Sequence, residues 1–357
     1  MNLKEYKNQF LNSNRNQTPD FLKGIAVIFM IQVHLIELFA LPDIYYSTVG
    51  KVSLFLGGPP AAPVFMAVMG YFVALSKKNL SVNLIRGIKL ILLGIILNVG
   101  LNFHLLIRIY KDEFRLDSLT YILGSDILPL AGMSIIILSL LKKFFRTNLF
   151  PTILFLAIVI LISENLNQLG NTEKPIAYLQ AFFYGSLQWS YFPLFPWLVY
   201  STAGFSFYSL SISKLYPFIF KFVNHIIIIS TIIIVATFNF GFKISTDLSN
   251  YYHHNFLFVF WVVNFLVVFV YLLYRIETLY SKNILLLLIK WVGKNVTEFY
   301  IIQWLIIGNL ATWLYKSQSY WQLVIWFIVI TISTGGLVLF SNKFRSKKIS
   351  SNITSQS

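Results

Sequence analysis

The 357-residue chain has no cysteine. Disulfides, thiolate nucleophiles, cysteine-ligated zinc and iron–sulfur clusters are excluded, and the compartment has to be read from charge. Charge is itself scarce: 11% of the residues are Asp, Glu, Lys or Arg, where a soluble domain carries about 25%. That is too little to cover a globule in water. Acid is scarcest, with 13 Asp and Glu against 28 Lys and Arg and a net charge of +15. A nucleic-acid partner would call for that excess in one basic domain. Here it is scattered through short segments between apolar runs, the pattern of membrane topology. What abounds is hydrocarbon. Hydrophobic residues make up 57% of the chain and mean hydropathy is +0.71, in recurring runs of about 20 residues, each able to cross roughly 30 Å of bilayer as a helix. The expectation is an all-α polytopic transmembrane helical bundle, with the lipid bilayer as its solvent.

Hydropathy places crossings near 20–41, 57–77, 83–107, 122–141, 148–163, 192–211, 216–240, 254–275, 293–315 and 320–341. This predicts about ten helices; nine or eleven are allowed by the short fifth run and by the polar-aromatic stretch 176–190, which fits an interfacial or re-entrant segment. With basic residues retained on the cytoplasmic side, alternate segments put 21 of the 28 Lys and Arg on one face and 7 on the other. Both termini are then cytoplasmic. Residues 1–19 form an N-terminal segment, 20–341 a single transmembrane domain, and 342–357 a basic tail with a disordered end. No small-residue cleavage site follows the first apolar run, so it reads as a retained helix. The longest gap, roughly 164–191, is too short for a soluble core. Function therefore lies within the bundle, in a cell membrane of bacterial or archaeal type, and the sequence leaves a homodimer open.

Ionisable groups inside hydrocarbon cost several kcal/mol unless they face a bundle interior or water, which singles out the first helix. His34 follows Lys23 by 11 residues, close to three turns and about 16 Å along the axis, and Glu37 lies at i+3 from His34, so all three share a face. A carboxylate beside an imidazole fixes its tautomer and raises its basicity, which suits a general base. Hydrogen bonding to a neighbouring helix and snorkelling of Lys23 are the competing structural readings.

Lys23, ten intervening residues and His34, with Asp20 before and Gly24 beside them, resemble the Arg/Lys-x10-His signature of membrane-bound acyltransferase family 3. Further stretches resemble the related branch of heparan-alpha-glucosaminide N-acetyltransferase and its bacterial relatives. These are Pro63 to Gly70, Asp126-Ile-Leu, Phe192-Pro-Leu-Phe-Pro-Trp197 with Gly204, and Gly293 to Tyr300. The resemblance implies transfer of an acetyl or similar acyl group from cytoplasmic acyl-CoA, with acetyl-CoA favoured, to a hydroxyl or amine of a sugar or glycolipid on the far side. It gives His34 the role of base and places Lys23 and Arg86 at the CoA-facing end. The chain departs from its relatives at Gln303, where similar proteins often carry a His; Gln orients a substrate but shuttles no proton.

The residues themselves fit this chemistry. Acyl transfer from a thioester needs a base, donors for the oxyanion and exclusion of water. Lys23, Arg86 and Lys89 lie on the basic face from which CoA phosphates would approach, although Arg86 and Lys89 are equally explained as positive-inside flanks. Asp126, at the outer start of the fourth crossing, is a candidate for an acceptor hydroxyl or simply an N-cap. Gln303 and Trp197 are further acceptor candidates; interhelical bonding and the aromatic belt explain them as well. His253 and His254 are adjacent and point apart, so no metal is expected there or elsewhere. The alternative function is a transporter or flippase for a lipid-linked saccharide or other small molecule, in which the buried Lys, His and Glu would line the pathway.

Overall fold

The computed structural model describes residues 17–166 and 169–354, all-α apart from two isolated bridges. Of the expected N-terminal segment, residues 1–16 lie outside the described residues. The chain builds α1 (Thr18–Phe39), α2 (Thr48–Gly57), α3 (Ala62–Leu75), α4 (Leu80–Leu101), α5 (Ile127–Phe145), α6 (Leu149–Leu166) and α7 (Leu194–Ser211). It continues through α8 (Val223–Ala236), α9 (Phe238–Ser245), α10 (Phe256–Leu279), α11 (Ile284–Lys294), α12 (Val296–Leu314) and α13 (Tyr320–Thr354).

Each of the ten apolar segments is helical, but they are not all simple crossings. Among the described residues seven helices are long and apolar enough to span, α2 and α3 counting as one, and the pair α8–α9, bent by 69°, raises the number to eight. The other two, α7 and α12, are 18 and 19 residues long. They reach about 27 and 28 Å, but their Ser, Thr, Tyr, Asn and Gln content makes them less apolar. Ile284–Lys294, which hydropathy left in a loop, is an amphipathic helix laid against α1. The final helix runs on to Thr354 instead of ending near 341 and giving way to disorder from Ser350; residues 355–357 lie outside the described residues. The stretch 176–190 holds only a short helix, Ile176–Gln180, and joins the outer layer through Ser125 N–H donating to the Trp189 carbonyl.

Burial separates inner helices from lipid-facing ones. The spans of α1, α2–α3 and α5 are 56%, 61% and 61% buried, against 22%, 17%, 33% and 22% for α4, α6, α10 and α13. Small residues set how closely the inner helices approach, as expected where no hydrophobic drive exists between helices in lipid. A methyl group on Gly24 would collide with the Ile289 carbonyl, and one on Gly293 with that of Asp20, so α1 and α11 touch backbone to backbone. Gly70 against Ser201 and Gly204 against Ala67 do the same for α3 and α7. The motif glycines are thus helix-crossing points. At the end of α3, Lys142 Nζ donates to the carbonyls of Val73, Ala74 and Ser76, satisfying groups that the helix terminus leaves orphaned. Lys290, expected in a cytoplasmic loop, is fully buried and donates to Glu277 Oε1 at 2.7 Å and Gln17 Oε1 at 3.0 Å.

Candidate active site between two chambers

The 22-residue α1 begins with a proline in its first turn and carries apolar residues all round, as a helix surrounded by others must. Its 3.6-residue period puts His34 and Glu37 on one face. The imidazole Nδ1 lies 3.4 Å from Glu37 Oε2, and the two side chains are 13% and 14% exposed. Trp304 of α12 covers the imidazole, ring centroids 4.0 Å apart. Because the carboxylate only accepts, this geometry assigns the proton to Nδ1 and leaves Nε2 as the basic nitrogen.

Both side chains line a small outer chamber of about 30 Å³, together with Asp126, Tyr251, Tyr252 and Tyr300. Gly57 and Gly58, at the break between α2 and α3 within the 28-residue span Thr48–Leu75, line one wall. Asp126 is the N-cap of α5, its Oδ1 accepting from Ile127 N–H at 2.7 Å. Its Oδ2 accepts from the Tyr300 hydroxyl at 2.6 Å. It is thus a cap and a chamber residue at once. Tyr251 lines the same chamber, and its buried hydroxyl has no hydrogen-bond partner among the described residues.

A second, larger chamber of about 580 Å³ lies toward the Lys23 end of α1, lined by Lys23, Lys78, Arg86 and apolar residues of α3 and α5. Lys23 is paired with Asp20 at 2.8 Å and lies over the Phe72 ring. The two chambers share their walls. On α3 the larger is lined by Phe65 and the smaller by Ala62; on α5 by Leu128 and Ile127; on α12 by Thr297 and Tyr300. Each pair is a turn or less apart, roughly 5 Å or under. Neighbouring residues of α3, α5 and α12 thus divide between the two chambers, whereas on α1 the nearest lining residues, Lys23 and Met30, are seven apart, about 10 Å along the axis.

The remaining sequence candidates stand off these chambers. Lys89 is exposed on α4 and lines neither. Trp197 is fully buried behind the outer wall, its indole N–H donating to the Tyr252 carbonyl at 2.9 Å. Gln303 is fully buried one turn beyond Tyr300, with neither amide atom hydrogen-bonded among the described residues, and lines neither chamber. His254 holds the same wall from behind. Its Nδ1 donates to the Tyr251 carbonyl at 2.6 Å, an acceptor only, and its Nε2 lies 2.8 Å from the Tyr200 hydroxyl. Burial pushes its pKa down to about 4. Sequence reasoning gave Tyr251, Tyr252, Tyr300 and Lys78 no role. Only Tyr300 carried a signal, as the end of the Gly293 to Tyr300 stretch.

A bundle of this kind, with an imidazole–carboxylate pair in a small buried chamber and a larger basic chamber nearby, is that of a multi-pass membrane protein. Residues 15–222, more than half the chain, match the family described as heparan-alpha-glucosaminide N-acetyltransferase, catalytic, and the chain belongs to that family. Membership places it among membrane acetyltransferases. His34, Glu37, Lys23, Arg86 and Asp126 fall inside the matched region; Tyr251, Tyr252, Tyr300 and Gln303 fall beyond it. No curated protein and no solved structure matches the chain.

Proposed function

We propose that this protein transfers an acetyl or similar acyl group from cytoplasmic acyl-CoA, with acetyl-CoA the favoured donor, to a hydroxyl or amine of a sugar or glycolipid presented from the opposite side. The observation that carries the reading is the His34–Glu37 pair in the small chamber, with a larger chamber lined by Lys23, Lys78 and Arg86 on neighbouring turns of α3, α5 and α12. Lys23, Lys78 and Arg86 supply cationic groups for the phosphates of CoA in the larger chamber. Its apolar walls of α3 and α5 suit the pantetheine arm, which reaches the thioester into the narrow end.

There His34 Nε2 removes the proton of the acceptor as its oxygen or nitrogen attacks the thioester carbonyl. The new bond to the acyl carbon forms, the carbon–sulfur bond breaks, and the proton passes from the imidazolium to the departing thiolate. Glu37 holds the ring in the Nδ1–H tautomer and stabilises the transient positive charge. Burial between Trp304 and the chamber wall keeps water from competing as the acceptor. Lys89, Gln303 and Trp197 are not assigned to contact with either substrate, since none of them lines a chamber.

The test is transfer of label from radiolabelled acetyl-CoA to glycan in membranes holding the protein. Transfer that disappears in His34→Ala at unchanged protein abundance supports the reading, and undiminished transfer removes the mechanism. Donor binding is tested separately by thermal stabilisation with CoA in detergent, which Lys23→Ala and Arg86→Ala should weaken. Transport of an intact saccharide into sealed vesicles without any acyl donor would favour the transporter instead.

A further inference from the structure

One wall of the larger chamber has the wrong polarity for an anion. Phe72, Leu75 and Ser76, from the last turn of α3 and its C-cap, line it beside Lys78. A helix C-terminus carries about half a negative charge on carbonyls that have no partner within the helix. Left bare, this end would oppose the phosphates for which Lys23, Lys78 and Arg86 supply charge. Lys142, on α5 and outside the chamber, offsets it. Its Nζ donates to the carbonyls of Val73 at 3.2 Å, Ala74 at 2.5 Å and Ser76 at 2.6 Å. The ammonium's three donors are spent on one helix end, and no carboxylate pairs with it among the described residues. We infer that Lys142 is a positioning residue for the acyl donor: it neutralises the C-terminus of α3 at the donor chamber and fixes the segment that carries Lys78. This inference rests on the acyl-CoA reading of that chamber and adds to it a residue that touches neither substrate.

Two observations set Lys142 apart from an ordinary helix cap. First, its bond to the Ser76 carbonyl falls just past the end of α3, in the connection to α4. Ser76 Oγ in turn accepts from Lys78 N–H at 3.2 Å, so the α5 ammonium, Ser76 and Lys78 form one chain of contacts that ends at the chamber. Residues 76–79 have no regular secondary structure and Lys78 is exposed, so these bonds are what orders its backbone. Second, the other two cations of the chamber are placed by means of their own. Lys23 is paired with Asp20 at 2.8 Å. Arg86 precedes Gly87, where α4 crosses α5 so closely that a methyl group would meet the Gly132 carbonyl. Loss of Lys142 therefore acts on one wall and one cation, and leaves the catalytic pair on α1 untouched. A neutral side chain in its place could donate to some of the carbonyls but could not offset their dipole.

The test is the dependence of label transfer on acetyl-CoA concentration in membranes, with CoA binding followed separately by thermal stabilisation of the full chain in detergent. In Lys142→Met the KM for acetyl-CoA should rise roughly fivefold or more, the scale of a charge set against a helix terminus. The kcat should stay within about twofold, because the change acts on donor binding and not on the reacting atoms. The CoA concentration for half-maximal stabilisation should rise with KM. Ser230→Ala controls for lost stability alone: Ser230 donates to Asn264 Oδ1 at 2.9 Å between α8 and α10 and lines neither chamber, so its loss should lower the melting temperature without moving KM. Where Lys142→Met gives no folded protein, Lys142→Gln, which keeps N–H donors and loses the charge, is read in the same way. Failure of both variants to fold assigns Lys142 to the fold alone and overturns the inference. So does an unchanged KM, a fall in kcat as large as the rise in KM, or an equal rise in Ser230→Ala; each leaves the donor reading standing. Absence of both acetyl-CoA-dependent transfer and CoA binding in the natural protein overturns the donor reading itself, and this inference with it.

Discussion

Tyr300 donates its hydroxyl to Asp126 Oδ2 across 2.6 Å, tying α12 to the start of α5 on the wall of the outer chamber. The pair spans 174 residues of sequence and uses an N-cap carboxylate whose other oxygen is already engaged by Ile127 N–H. Removing the hydroxyl with Tyr300→Phe strands a buried carboxyl oxygen, a loss of about 1–3 kcal/mol. The expected result is a lower melting temperature in detergent together with reduced label transfer. Unchanged values of both would mean that the bond does not hold the chamber together.

Glycine tolerance should separate helix crossings from open helix faces. Gly293→Ala sets a methyl group into the Asp20 carbonyl and forces α11 away from α1, so several kcal/mol of destabilisation and loss of folded protein are expected. Gly336→Ala, on α13 with nothing within 4 Å of its new methyl, should instead be neutral or stabilising by about 0.5–1 kcal/mol. Melting temperatures of the two purified variants decide the matter; similar behaviour would contradict the close crossing.

Activity should fall unequally across the imidazole–carboxylate pair. His34→Ala removes the proposed base, for which a loss of about 10²–10⁴ in rate is usual. Glu37→Gln keeps a polar group 3.4 Å from the imidazole but loses its charge, so a smaller loss is expected. Label transfer at saturating acetyl-CoA measures both. A larger loss in Glu37→Gln than in His34→Ala would reverse the assigned roles.

Acidification should loosen the outer wall through His254. Its folded-state pKa, pushed down to about 4 by burial, lies below the ordinary value of 6.5. Between these values the unfolded chain binds the proton and the folded chain does not. The stability from neutral His254 is therefore complete above about pH 6.5 and is lost as the pH falls toward about 4. Melting temperature against pH should drop more steeply across that window in the natural protein than in His254→Asn, which cannot titrate. Parallel curves would show that His254 is not the group responsible.

Much of the architecture is legible in the sequence because a bilayer leaves few choices. With no water to satisfy the backbone, each apolar run of about 20 residues must be helical, and each of the ten such segments is. The bent α8–α9 pair and the separate α11 were harder to foresee: hydropathy measures average apolarity and is blind to a break in direction. Lys290 shows the same limit. Its charge placed it in a loop, whereas Glu277 and Gln17, brought by α10 and the start of α1, allow it to be buried.

The site divides along the same line. His34, Glu37 and Lys23 are placed on one face by the period of a single helix. Asp126 could be recognised as an N-cap, but its bond to Tyr300 could not be foreseen. Tyr251 and Tyr252 were two tyrosines among 20 with nothing local to distinguish them, and Tyr300 was marked only as the end of the Gly293 to Tyr300 stretch.

By itself, then, the sequence determined that this protein lives in a membrane as a helical bundle and that one helix carries an imidazole, a carboxylate and an ammonium in line. Both follow from short-range rules, the backbone's need for hydrogen bonds in hydrocarbon and the pitch of the α-helix. The tertiary structure alone decided that a small chamber with two carboxyls forms around that imidazole and that a large basic one lies on neighbouring turns of α3, α5 and α12. Which faces of α1, α3, α5 and α12 meet depends on side-chain shape and on backbone contact at crossings such as Gly24 and Gly293, between residues far apart in the chain.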